Sequence, residues 1–181
     1  MKKLILSATV IAGFATAKAQ TNNSQQVTLN ITLNQVQTIA VNNTPIVNLE
    51  YVNESDYANG VTSKVDNHLR ITSTGGFEVK VKSSNLQNSD KSKTIEASSV
   101  LLTARKSTNT ANEIGGTVTY MQSTGLSNQD QILVKSDLGG IGKEISVDYT
   151  GGKEYINKHS NSTTPSKTVY STQVTYTIIA A

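Results

Sequence analysis

His68 and His159 are the only imidazoles in this 181-residue chain, and there is no cysteine, so the groups able to carry nucleophilic or proton-transfer chemistry are few. The triplet Asp66-Asn67-His68 sets a carboxylate two residues before an imidazole, with Ser63 and Ser73 close by in sequence. A hydroxyl nucleophile needs an adjacent base that a third group orients, and these residue types would supply one. Serine is so abundant here that the spacing is ordinary, and the expected role of the triplet is a turn leading into a strand at Leu69. His159 falls in the most polar stretch of the chain. Glu50, Glu54 and Asp56 form the densest acidic group, yet no segment shows the alternating Asp/Asn ligands, glycine and distal Glu of a calcium loop. Without cysteine, disulfides, thiolate metal sites and a lipid-modified anchor are excluded. No catalytic, metal or cofactor residue is assigned, and the chain is expected not to be an enzyme.

Binding chemistry leaves more to consider. Tyr57 and Tyr155 are the tyrosines that lie outside any strand alternation, and an exposed ring there would stack on a sugar face as a glycan contact. The alternative for either is a ring covering the end of the fold. Tryptophan, the usual platform for sugars, is absent.

The first nineteen residues set the compartment. Lys2 and Lys3 precede an apolar run over 4–14, and Ala17-Lys18-Ala19 supplies small residues around a cleavage point, the organisation of a secretory signal peptide. The run is too short to cross a hydrocarbon core of about 30 Å, so no integral membrane segment is expected. The chain from Gln20 is expected to be exported, to the periplasm, the cell surface or the medium, with 20–181 as a single domain. Removing the leader takes three lysines and no acid, so the 16 basic residues fall to equality with the 13 acidic ones. A neutral protein without basic clusters is not a nucleic-acid partner.

Hydrophobic alternation with period two dominates what remains. In 27–33, Val27, Leu29, Ile31 and Leu33 alternate with Thr and Asn, the most regular strand pattern in the chain. Val47/Leu49/Tyr51, Leu69/Ile71, Phe77/Val79/Val81, Val100/Leu102/Ala104, Val118/Tyr120, Ile132/Val134, Ile145/Val147/Tyr149 and Val174/Tyr176/Ile178 repeat it. Gly75-Gly76 reads as a hairpin turn between the strands at Leu69 and Phe77. The polar stretches 84–93, 107–113 and 157–167 read as surface loops. About nine or ten short strands with one apolar face each predict an all-β fold, an antiparallel β-sandwich of immunoglobulin-like or jelly-roll type.

The closing run 168–181, with a Tyr followed four residues later by Val174-Thr-Tyr-Thr-Ile178, resembles the last strand of small bacterial surface sandwiches, as do 26–41 and Thr74-Gly-Gly-Phe77. It is similar both to WxL-type cell-wall-binding domains and to fimbrial and spore-coat-U-type subunits. Tyr176-Thr177-Ile178 stands where a WxL domain carries Trp-x-Leu, and the cysteine pair usual in fimbrial subunits is missing. The resemblance implies a secreted sandwich that works by surface contact. Two functions follow as expectations: a structural or fibre-type surface subunit that self-associates through the strand bearing Val27, Leu29, Ile31 and Leu33, or a module binding cell-envelope glycan. That strand either pairs within its own domain or is donated to a neighbour, since strand addition needs main-chain hydrogen bonds and alternate side chains for pockets.

Overall fold

The computed structural model of the chain describes residues 24–42, 44–153, 155–158 and 167–181. The leader, His159 and most of the polar stretch 157–167 lie outside the described residues. The chain divides into two units, residues 1–33 and 34–181.

In the first unit, residues 24–33 form neither strand nor helix. Val27, Leu29, Ile31 and Leu33 are 91%, 82%, 77% and 88% exposed. The most regular strand pattern in the sequence is therefore not a strand in this chain. Alternation prepares a segment to pair, but a ladder forms only where a neighbouring strand replaces water on its N–H and C=O groups.

The second unit is all-β. Among the described residues its strands are β1 (Gln37–Val41), β2 (Val61–Ser73), β3 (Phe77–Ser83), β4 (Leu86–Asn88), β5 (Thr94–Ile95), β6 (Val100–Lys106), β7 (Val118–Tyr120), β8 (Thr124–Gly125), β9 (Gln131–Ser136), β10 (Gly140–Gly151), β11 (Tyr170–Ser171) and β12 (Val174–Ala180), with one short α-helix, α1 (Glu54–Asn59), and two single 3-10 turns. Every pairing is antiparallel. A five-stranded sheet runs β1-β2-β10-β6-β8, a four-stranded sheet β12-β3-β9-β7, and a small one β11-β4-β5. Leu69, Ile71, Leu102, Ile145 and Val147 of the first sheet join Phe77, Val79, Val81, Leu133 and Val134 of the second in one buried core. This is the antiparallel β-sandwich that the alternation predicts.

Most expected strands are present where the pattern places them, and the departures have local causes. Gly75-Gly76 does not close a hairpin, because β2 and β3 belong to different sheets. The pair carries the chain between layers, and a Cβ on Gly76 would stand 3.0 Å from the carbonyl oxygens of Ser136 and Asp137. On β9, Val79 pairs with Val134 and Lys80 with Ile132, so Leu133 is the extra residue of a β-bulge. Leu133 and Val134 are consequently both buried while Ile132 is partly exposed. The polar stretch 84–93 contains β4, whose Leu86 packs against the core.

Residues 47–51 also depart from expectation. Val47, Leu49 and Tyr51 are half-buried between exposed neighbours, as a strand would have them, yet the segment joins no ladder. β1 stops at Val41 opposite Leu69, and the last bond to β2 is Asn42 N–H to the His68 carbonyl. The main-chain groups of residues 46–49 take part in no hydrogen bond.

Candidate functional site

His68 lies inside β2 rather than in a turn before it. Opposite β10, Leu69 pairs with Ile145 and Val65 with Val147, so residues 66–68 face a single residue of the partner. Asn67 takes a left-handed φ of 51° at this bulge. Asparagine tolerates that conformation better than most residues, and its side chain is held by Ser107 and by the Thr108 N–H. The two extra residues let consecutive side chains, His68 and Leu69, both turn inward, where they are 2% and 0% exposed.

The inward imidazole meets two tyrosines from other strands. His68 Nε2 lies 2.8 Å from the Tyr149 hydroxyl, which is itself hydrogen-bonded to the Tyr176 hydroxyl. Both phenol rings meet the imidazole edge-on. Burial lowers the His68 pKa, so the ring is held neutral. Burial also pushes Tyr149 up to about 12 and raises Tyr176, with the Tyr149 hydroxyl adding to the rise. β2, β10 and β12 thus bring together a proton-sharing chain of one neutral imidazole and two phenols. One atom is left over: His68 Nδ1 is buried and has no hydrogen-bond partner.

The grouping of Asp66, His68 and Ser73 is not assembled. Ser73 bonds the main chain of Gly75, and Asp66 pairs with Arg105 at 2.9 Å, so neither approaches the imidazole as a catalytic partner. Arg105 makes two further bonds to Asp148, at 2.9 and 2.7 Å, which raise its pKa and fix a charged cluster on the outer face. Two of the acidic trio are committed elsewhere. Asp56 accepts the N–H groups of Val52 and Asn53 in the capping box of α1, and Glu50 pairs with Lys167 at 3.0 Å.

Of the two candidate glycan tyrosines, Tyr155 is buried, with its hydroxyl 2.8 Å from that of Ser99 and its ring edge against Tyr51. It covers the end of the sandwich. Tyr57 is half-buried on α1, tilted against the same Tyr51.

Where β1 ends, a groove of about 610 Å³ opens, and His68, Tyr149 and Tyr176 line it. Residues 45–49 and 169–176 supply most of its walls, with Leu86, Val100 and Leu126 from the core between them. No Asp, Glu, Lys or Arg lines it. Its rim carries exposed apolar side chains, Ile46 and Val169 at 71% and 69%. A second depression, beside Arg105, Lys106 and Glu113, is lined by charges already paired with one another or with Asp66 and Asp148. The groove was not legible in the sequence, because its polar members are 81 and 27 residues apart. A faint signal existed: Tyr149 and Tyr176 both occupy inward positions of their alternation, where a hydroxyl must find a partner. No protein-family profile matches the chain, and no curated protein matches it in sequence.

Proposed function

We propose that this is an exported, non-enzymatic structural protein of the cell surface or the extracellular space, a fibre-type subunit that contacts its neighbours through residues 27–33. The observation that carries the reading is that the best strand sequence in the chain forms no strand while its four apolar side chains stand exposed. Covering four such side chains contributes on the order of 6–12 kcal/mol, at about 1.5–3 kcal/mol each. Fixing the seven residues costs a comparable amount, at about 1–2 kcal/mol per residue. The main-chain bonds of a ladder then decide the balance, so the segment needs a strand edge and not merely an apolar surface. The leader-like residues 1–19 support export, and the commitment of His68 to two tyrosines supports a non-enzymatic role. A glycan-binding module is less favoured, since Tyr155 is buried and Tyr57 alone would have to hold the sugar.

Sedimentation of the exported protein tests the reading. Concentration-dependent oligomers are expected, and Ile31→Asp should reduce them to monomer with an unchanged circular dichroism spectrum. Oligomers that persist in Ile31→Asp, or a strictly monomeric parent at high concentration, would overturn it.

A further inference from the structure

The groove at the end of β1 has the make-up of a site for a small molecule. We infer that it binds a small, uncharged, mainly apolar compound carrying one hydrogen-bond acceptor, a ketone or ester carbonyl, held by the Tyr176 hydroxyl; this goes beyond the fibre reading and does not depend on it.

Size and charge set the class of ligand. The groove's volume of about 610 Å³ lies within the range of about 300–1,000 Å³ usual for small-molecule sites. Its floor is the buried pair Val100 and Leu126, and Val47, Leu49, Leu86 and Val174 stand half-buried around them. With no charged side chain in the lining and His68 neutral, an ion that entered would lose water and find no counter-charge. A polypeptide is disfavoured for a related reason. Every residue of it would bring an N–H and a C=O to an aliphatic floor that bonds neither.

Hydrogen-bond arithmetic supplies the polar requirement. The neutral His68 imidazole and the Tyr149 and Tyr176 hydroxyls carry one polar hydrogen each, and two hydrogen bonds join the three groups. One hydrogen is therefore always unspent, whichever tautomer the ring takes. On Nδ1 it would be a buried donor without an acceptor, the costlier arrangement, so the imidazole hydrogen sits on Nε2 and points to Tyr149. Donation passed on from Tyr149 leaves the spare hydrogen on Tyr176, the half-buried end of the chain, which lines the groove. The neighbouring hydroxyls are spent, since Thr172 donates to the Ser84 carbonyl and Tyr170 to that of Lys158. A molecule that displaces water from this groove must return one acceptor to Tyr176.

Acetylnaphthalene, ethylnaphthalene and naphthoate, substituted at the same ring carbon, differ in little but the acceptor and the charge. Titrated by calorimetry into the chain from Gln20 onward, the ketone should bind about tenfold more tightly than the hydrocarbon and at least about tenfold more tightly than the anion. Tyr176→Phe, with an unchanged circular dichroism spectrum, should weaken the ketone alone and bring it level with the hydrocarbon. Val47→Trp, which fills the groove, should weaken both. In the parent, the ketone should shift the imidazole nitrogen signals of His68, identified by their loss in His68→Gln. No binding of the ketone, equal binding of the hydrocarbon or the anion in the parent, or discrimination that survives Tyr176→Phe would overturn the inference. So would a ketone that binds while the His68 signals stay in place, or one displaced by a synthetic peptide of alternating Val and Thr, which would assign the groove to polypeptide.

Discussion

His68 is the residue whose environment has the clearest thermodynamic consequence. Burial holds its pKa below the ordinary value of about 6.5, so as pH falls through that value the unfolded chain takes up a proton before the folded one does. The stability it contributes is complete above pH 6.5 and declines as pH falls, until the folded imidazole is itself protonated. His68→Gln, which keeps a polar group but cannot titrate, should show a shallower loss of urea midpoint between pH 7.5 and 5.5 than the parent. Equal slopes would mean that the imidazole is hydrated in the folded state. None of this could be read from Asp66-Asn67-His68 alone. Sequence neighbours suggested a turn and a carboxylate partner; the bulge at Asn67 instead directs the ring inward and Asp66 outward to Arg105.

At the scale of elements, alternation identified faces well and partners poorly. β3, β6 and β12 lie where Phe77/Val79/Val81, Val100/Leu102/Ala104 and Val174/Tyr176/Ile178 place them, because period two is enforced by the pleat itself. Which sheet a strand enters depends on contacts far along the chain, and so Gly75-Gly76 reads as a hairpin while acting as a crossing between layers. Bulges defeat the pattern in another way, by sending two adjacent side chains to one face. β9 offers the measurement: Leu133→Ala should cost about 2–5 kcal/mol by opening a cavity in the core. Ile132→Thr, at a partly exposed position, should cost under about 1 kcal/mol. Chemical denaturation of the two variants separates bulged from regular register, and the reverse order would restore simple alternation to β9. Glycine ends α1 at Gly60, where φ is 82° and a Cβ would stand 2.4 Å from the Gly151 oxygen.

Among the described residues, the buried core lies wholly within 34–181, and residues 27–33 contribute none of it. Deleting residues 20–34 should therefore leave the far-ultraviolet spectrum and the cooperativity of thermal unfolding unchanged, with the melting temperature shifted by no more than a few degrees. A truncated protein that cannot fold would mean that the segment belongs to the core after all. The exposed segment has a less benign side. Uncharged, without proline or glycine, and alternating Val, Leu and Ile with Thr and Asn, residues 27–33 have the composition of sequences that stack into cross-β zippers. The four exposed side chains of one copy therefore have a like segment on the next to stack against, and such stacking grows steeper with protein concentration.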